Sequence, residues 1–122
     1  MTAPVIRRPE PDAEYYTDER CHILELSNAP GDPDVSVARA RVEPGITTKK
    51  HRVRNTTERY VLMAGEGRVG VEGLEEQVVQ AGDVVVIPAG AAQSICNIGE
   101  TDLVFLCICN PRFEWQNYES LE

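Results

Sequence analysis

Apolar and polar residues alternate along most of this chain in short runs, and each run stops at glycine, proline, asparagine or aspartate. A period of two is the signature of a strand with one buried face. The runs are CHILEL (21–26), VSVARARV (35–42), KKHRVR (49–54), ERYVLM (58–63), RVGVEG (68–73), EEQVVQ (75–80), VVVIP (84–88), QSICN (93–97) and LVFLCIC (103–109). They are rich in β-branched residues, and turn residues separate them at near-regular spacing. Such a series predicts an all-β sandwich or barrel, because closure hides the edges that so many strands would otherwise expose.

The ends of the chain read differently. Residues 1–20 carry three of the eight prolines and many charges, which predicts an extended N-terminal arm with no core of its own. Residues 21–110 hold the strand series, and PRFEWQNYESLE (111–122) predicts a tail with a short helix, Pro111 standing near its first turn. A chain of 122 residues has the length of one domain.

Charge narrows the partners. A net charge of −8 opposes binding to nucleic acid or to anionic lipid, both of which call for a basic surface. No apolar run approaches the length of a membrane span, and MTAPVIRRPEPDAEYYTDER has no apolar core of signal-peptide length. Cys21, Cys96, Cys107 and Cys109 form no C-x-x-C pair. The expectation is a cytoplasmic protein with reduced thiols.

Two blocks of residues carry candidate chemistry. In the first, Gly45 is followed at fixed intervals by His51, Val53, Glu58 and Gly65; in the second, Gly82 is followed by Pro88, Gly90, Gln93 and Asn97. Together they resemble, spacing for spacing, the paired motifs of the cupin superfamily, G-x5-H-x-H-x4-E-x6-G and G-x5-P-x-G-x2-H-x3-N. The resemblance covers about residues 35–109 and implies a cupin-type double-stranded β-helix, a jelly-roll barrel. It also implies a divalent metal inside the barrel, held by three histidines and a glutamate. Here those positions fall on His51, Val53, Glu58 and Gln93, so two imidazoles are replaced. The segment CNPRFEWQNYE (109–119) resembles the Cys-x-Pro-Arg-Phe tail of small bacterial cupins, many loosely described as mannose-6-phosphate-isomerase-like.

Strand geometry supports a meeting of these residues without the resemblance. Glu58, Tyr60 and Leu62 share a face, as do His51 and Val53. If the strands pair through a turn at Asn55–Thr57, His51 and Glu58 converge across one sheet, and Gln93 joins them from a neighbour. His51, Glu58 and Gln93 are then candidate ligands for Zn, Mn, Ni or Fe, with Cys107, Cys109 or His22 as further donors. The set lacks the second histidine of a two-His, one-carboxylate iron site, which disfavours oxygen activation by that route. The plainer reading is a buried hydrogen-bonded pair that Gln93 satisfies. His51 and Glu58 remain an acid–base couple on either reading, and so the candidate catalytic residues.

Around them, Tyr60, Phe105, Cys107, Cys109 and Lys49 are candidate pocket residues. The two aromatics and the cysteines could equally be core, and Lys49 could equally be a solvated lysine. Arg39 and Arg41 share a face and offer either an anion site or ion pairs. Arg112, Trp115 and Tyr118 are expected to cap the barrel mouth or to pack on a second protomer, and a homodimer is expected, with arm exchange as one form it could take.

Two functions follow. The first is a metal-assisted, non-oxidative enzyme of the isomerase, cyclase, lyase or decarboxylase type, acting on a small polar or anionic molecule. The second is a metal-free ligand-binding or sensing protein in which His51, Glu58 and Gln93 hold the ligand themselves.

Overall fold

The computed structural model describes residues 3–122, so the first two positions of the expected arm lie outside the described residues. Each predicted run is a strand. In chain order the strands are β1 (Tyr15–Tyr16), β2 (His22–Ser27), β3 (Ser36–Val42), β4 (His51–Val53), β5 (Thr57–Ala64), β6 (Glu66–Val71), β7 (Gln77–Gln80), β8 (Val84–Ile87), β9 (Gln93–Asn97), β10 (Leu103–Asn110) and β11 (Tyr118–Ser120). They form two antiparallel sheets, ordered β1-β2-β3-β10-β5-β8 and β11-β4-β9-β6-β7. The fold is the all-β double-stranded β-helix. No helix among the described residues is long and apolar enough to cross a membrane.

Alternation places the core. Every second residue of β5 (Glu58, Tyr60, Leu62) and of β9 (Gln93, Ile95, Asn97) is buried. One end of the barrel is filled by Val42, Leu62, Ile95 and Leu103. The polar members Glu58 and Gln93 stand toward the other end, where the same face continues. Asn97 closes the packed end with three hydrogen bonds. Its amide donates to the carbonyls of Val42 and Thr101, each at 2.8 Å, and its oxygen accepts from the Gly99 N–H at 2.9 Å.

Sequence reasoning misplaced one pairing. His51 and Glu58 are not cross-strand neighbours on a hairpin. β4 pairs with β9 and β11, whereas β5 pairs with β10 and β8. With both edges of each strand occupied, Asn55, at φ 57°, turns the chain from one sheet to the other. The two side chains therefore approach across the barrel interior.

The chain ends are also more structured than composition suggests. Tyr15–Tyr16 adds an edge strand to β2. The short helix expected in the tail is one turn of 3-10 helix, Trp115–Asn117, after which the chain continues as β11 beside β4. The tail cannot coil further because its backbone is engaged elsewhere. The Arg112 N–H donates to Pro33 O at 3.0 Å, and the Phe113 N–H to Ser36 Oγ at 2.8 Å.

Two glycines separate backbone strain from close contact. Gly65 has φ 85°, and a Cβ there would lie 2.7 Å from the Asp102 carbonyl oxygen. Gly45 has φ 78° but open space around it. Gly45→Ala is expected to cost about 1–2 kcal/mol from the left-handed backbone alone, and Gly65→Ala clearly more. Urea denaturation of both variants checks the order, and equal costs would contradict the packing described at Gly65.

Candidate functional site

The polar end of the barrel holds a cavity of about 60 Å³. A water needs roughly 10–15 Å³, so the space suits a few waters or a small ligand. Its wall includes His51 and Val53 from β4, Glu58 and Tyr60 from β5, and Phe105, Cys107 and Cys109 from β10. The strand register accounts for this grouping: Cys109 lies opposite Glu58, and Cys107 opposite Tyr60. Tyr15 and Glu19 from the N-terminal segment, with Phe113, Trp115 and Tyr118 from the tail, complete the wall toward the mouth.

Glu19 is the residue that sequence reasoning missed. Its Oε2 lies 3.3 Å from His51 Nε2, and its side chain is only 13% exposed. The segment is tied in place by backbone bonds from the Lys49 N–H to Glu19 O at 2.9 Å and from the Thr17 N–H to Cys21 O at 2.9 Å. Arg20, at φ 70°, turns the chain there and donates from Nε to Thr47 O at 2.9 Å. No motif marks Glu19. A lone acid in a charged, proline-bearing segment reads as surface, and only tertiary contact identifies it.

His51 is 5% exposed and held on three sides. Its Nδ1 is 2.8 Å from the Lys49 carbonyl, which can only accept, so Nδ1 carries a proton. Tyr118 stacks on the ring, with centroids 5.0 Å apart. Nε2 therefore faces Glu19 with one proton to share between them, either on the carboxyl or on the imidazole. Burial raises the Glu19 carboxyl to about 7.

Glu58 and Gln93 form a second unit. Tyr60 Oη donates to Gln93 Oε1 in a short hydrogen bond. Burial holds the Tyr60 hydroxyl well above its ordinary range, so it keeps its proton. Burial likewise raises Glu58, with the charge of His51 and hydrogen bonding to Gln93 pulling it back. Glu58 is 8% exposed, and its Oε1 is buried with no partner. Gln93 is 2% exposed and pairs with His51 across β4 and β9, but it stands behind Tyr60, outside the cavity wall.

The remaining candidates divide. Tyr60 and Phe105 line the cavity as a ring pair 4.5 Å apart. Cys107 and Cys109 line it too, with burial raising both thiols, and burial pushes the nearby Cys21 thiol up to about 12. Lys49 does not reach the wall. The strand begins at His51, so the alternation that placed Lys49 inward does not extend to it, and its backbone is clasped by Glu19 and His51. His22 faces Glu14 and Glu43 on the outside. Arg39 and Arg41 pair with Glu14, and Arg41 also with Asp102.

These donors do not fit a resident divalent metal as they stand. Val53 offers no ligand atom, His51 Nε2 faces Glu19, and the Gln93 oxygen accepts from Tyr60. No three His, Cys, Asp or Glu side chains among the described residues come together as a metal-binding group.

A family model described as a cupin domain matches residues 38–109. An oxalate-binding protein of Thermotoga maritima is 35% identical over 71 residues, which is 58% of each chain. Oxalate oxidase 1 of Hordeum vulgare is 34% identical over 98 residues, which cover 73% of this chain and 49% of that one. The chain thus spans about half to three fifths of the length of these curated relatives. A solved structure of Bacillus subtilis oxalate decarboxylase, an enzyme with Mn(II) centres, superposes with a TM-score of 0.77 at 26% identity, over 90% of this chain and 30% of that one.

The Glu19 geometry predicts how stability depends on pH. The groups facing this carboxyl are His51, Glu58, Cys21 and Tyr118. Its folded value, about 7, lies above the ordinary 4.5, so the folded state binds the proton more tightly than the unfolded state does. Stability therefore falls as pH rises from about 4.5 to about 7, then levels, with a cost on the order of 3 kcal/mol. Glu58 and Glu25, also raised, act in the same sense, whereas the lowered Glu14 and Glu122 act below this window. Thermal unfolding between pH 5 and 7.5 should show a falling Tm, with a smaller fall in Glu19→Gln. An unchanged slope in that variant would contradict the assignment.

Proposed function

The chain belongs to the cupin family, and from that premise we propose that its barrel binds a small polar molecule directly, through the Glu19–His51 couple and Glu58, without a resident metal. The observation that carries this reading is the use already made of the donors. The imidazole nitrogen that would face a metal faces Glu19, and the amide oxygen of Gln93 accepts from Tyr60. Small-molecule binding is also what the name of the Thermotoga maritima relative states of that protein.

Each residue then has a part. Glu58 lines the cavity with a carboxyl whose buried Oε1 has no partner among the described residues. Gln93 and Tyr60 orient that carboxyl from behind, since Tyr60 fixes the amide oxygen and leaves the amide N–H groups for Glu58. The Glu19–His51 couple shares one proton beside the same cavity, and can pass it to or take it from a bound molecule. Trp115 and Tyr118, whose rings lie 5.3 Å apart, shield the mouth from water. A non-oxidative proton-transfer step, as in an isomerisation or elimination, is the chemistry such a couple can support. The cavity wall is supplied by one chain, so this reading does not need the homodimer expected from sequence.

Metal content decides between this reading and the metal-assisted one. Protein purified without added metal or a chelating tag is expected to carry well under one equivalent of Mn, Fe, Ni or Zn by elemental analysis. One equivalent that is lost in His51→Ala would overturn the proposal.

A further inference from the structure

We propose that the cavity selects a small organic ammonium ion carrying at least one N–H, an inference that rests on the directly binding pocket above and names the class of its ligand. Four observations converge on it. The first is the orphaned acceptor. Glu58 lines the cavity, is more than nine-tenths buried, and has an Oε1 with no partner. In its ionised form that oxygen only accepts, and a cationic N–H donor is the partner that would hold the buried carboxyl ionised.

The second is charge. Among the described residues the wall carries the carboxyls of Glu19 and Glu58, with Glu25 at its exposed rim, and no lysine or arginine. Its one basic side chain, His51, already commits Nδ1 to Lys49 and Nε2 to Glu19. An anion entering this space would oppose the ionisation of Glu58 with no lysine or arginine to balance it, whereas a cation would stabilise the carboxylate that burial otherwise disfavours. The third is the aromatic wall. Tyr60 and Phe105 form a tilted pair inside, and Trp115 and Tyr118 stand at the mouth. Ring faces attract a desolvated cation and pack well on its carbon chain. The fourth is size. An enclosed space of about 60 Å³ suits a short alkylammonium.

Three probes of similar size and different charge test the assignment on the full chain: n-propylammonium, 1-propanol and oxalate, titrated at constant ionic strength. Trp115 is the single tryptophan and reports by fluorescence, with amide NMR shifts of Glu58 and Tyr60 locating the site. Propylammonium should saturate and bind roughly tenfold or more tighter than the other two. Glu58→Gln should weaken its binding by a similar factor while leaving 1-propanol within about twofold. Glu19→Gln serves as a second variant, expected to weaken the ammonium ion selectively, should Glu58→Gln not fold. Tightest binding by oxalate or 1-propanol at the same resonances would overturn the charge assignment and leave the pocket reading standing. Ammonium binding that is indifferent to both variants would also overturn it. If no probe perturbs Trp115, Glu58 or Tyr60, the pocket reading itself fails, and this inference with it.

Discussion

The 3.3 Å approach of Glu19 Oε2 to His51 Nε2 joins the N-terminal segment to the barrel, and the character of the site depends on it. A histidine in this position with a free Nε2 would be open to a metal. With a buried carboxyl against it, the same nitrogen belongs to a proton-sharing couple. The backbone bonds that seat Glu19 also set the wall of the cavity mouth, because Tyr15 follows the same segment onto β2 and the tail packs opposite.

Burial works against every acid in this pocket. Glu19 and Glu58 are both raised by desolvation, and for Glu58 the imidazole, the Gln93 amide and a thiol pull it back. Such carboxyls are costly to keep in a core unless something else uses them. Glu58 lines a cavity walled by rings and has a buried oxygen with no partner among the described residues, which the proposed ligand would complete. The replacements at Val53 and Gln93 are consistent with that arrangement. Val53 adds apolar wall, and Gln93 supplies both a fixed acceptor for Tyr60 and donors for Glu58.

Much of the fold was legible because strand alternation is local. The runs from CHILEL to LVFLCIC are β2 to β10, and the inward residues of β5 and β9 follow from period two alone. What alternation cannot give is which strands pair. His51 and Glu58 are close in sequence and both inward, so a hairpin is the natural inference. Only the competition of β9, β11, β8 and β10 for their edges sends them to opposite sheets. Glu19, Trp115 and Tyr118 illustrate a second limit. Segments without periodicity earn their positions from contacts with the rest of the chain, so Trp115 and Tyr118 could be expected near the mouth but not placed, and Glu19 carried no signal. Lys49 marks a third, since parity was extended beyond the first residue of β4.

The most direct measurement is the state of the His51 ring, read by long-range proton–nitrogen NMR on protein with no added metal. The account predicts a proton on Nδ1 and an Nε2 resonance that moves in Glu19→Gln and is unmoved by one equivalent of Zn²⁺ or by a chelator. An Nε2 resonance indifferent to Glu19→Gln that shifts on adding Zn²⁺ would contradict it.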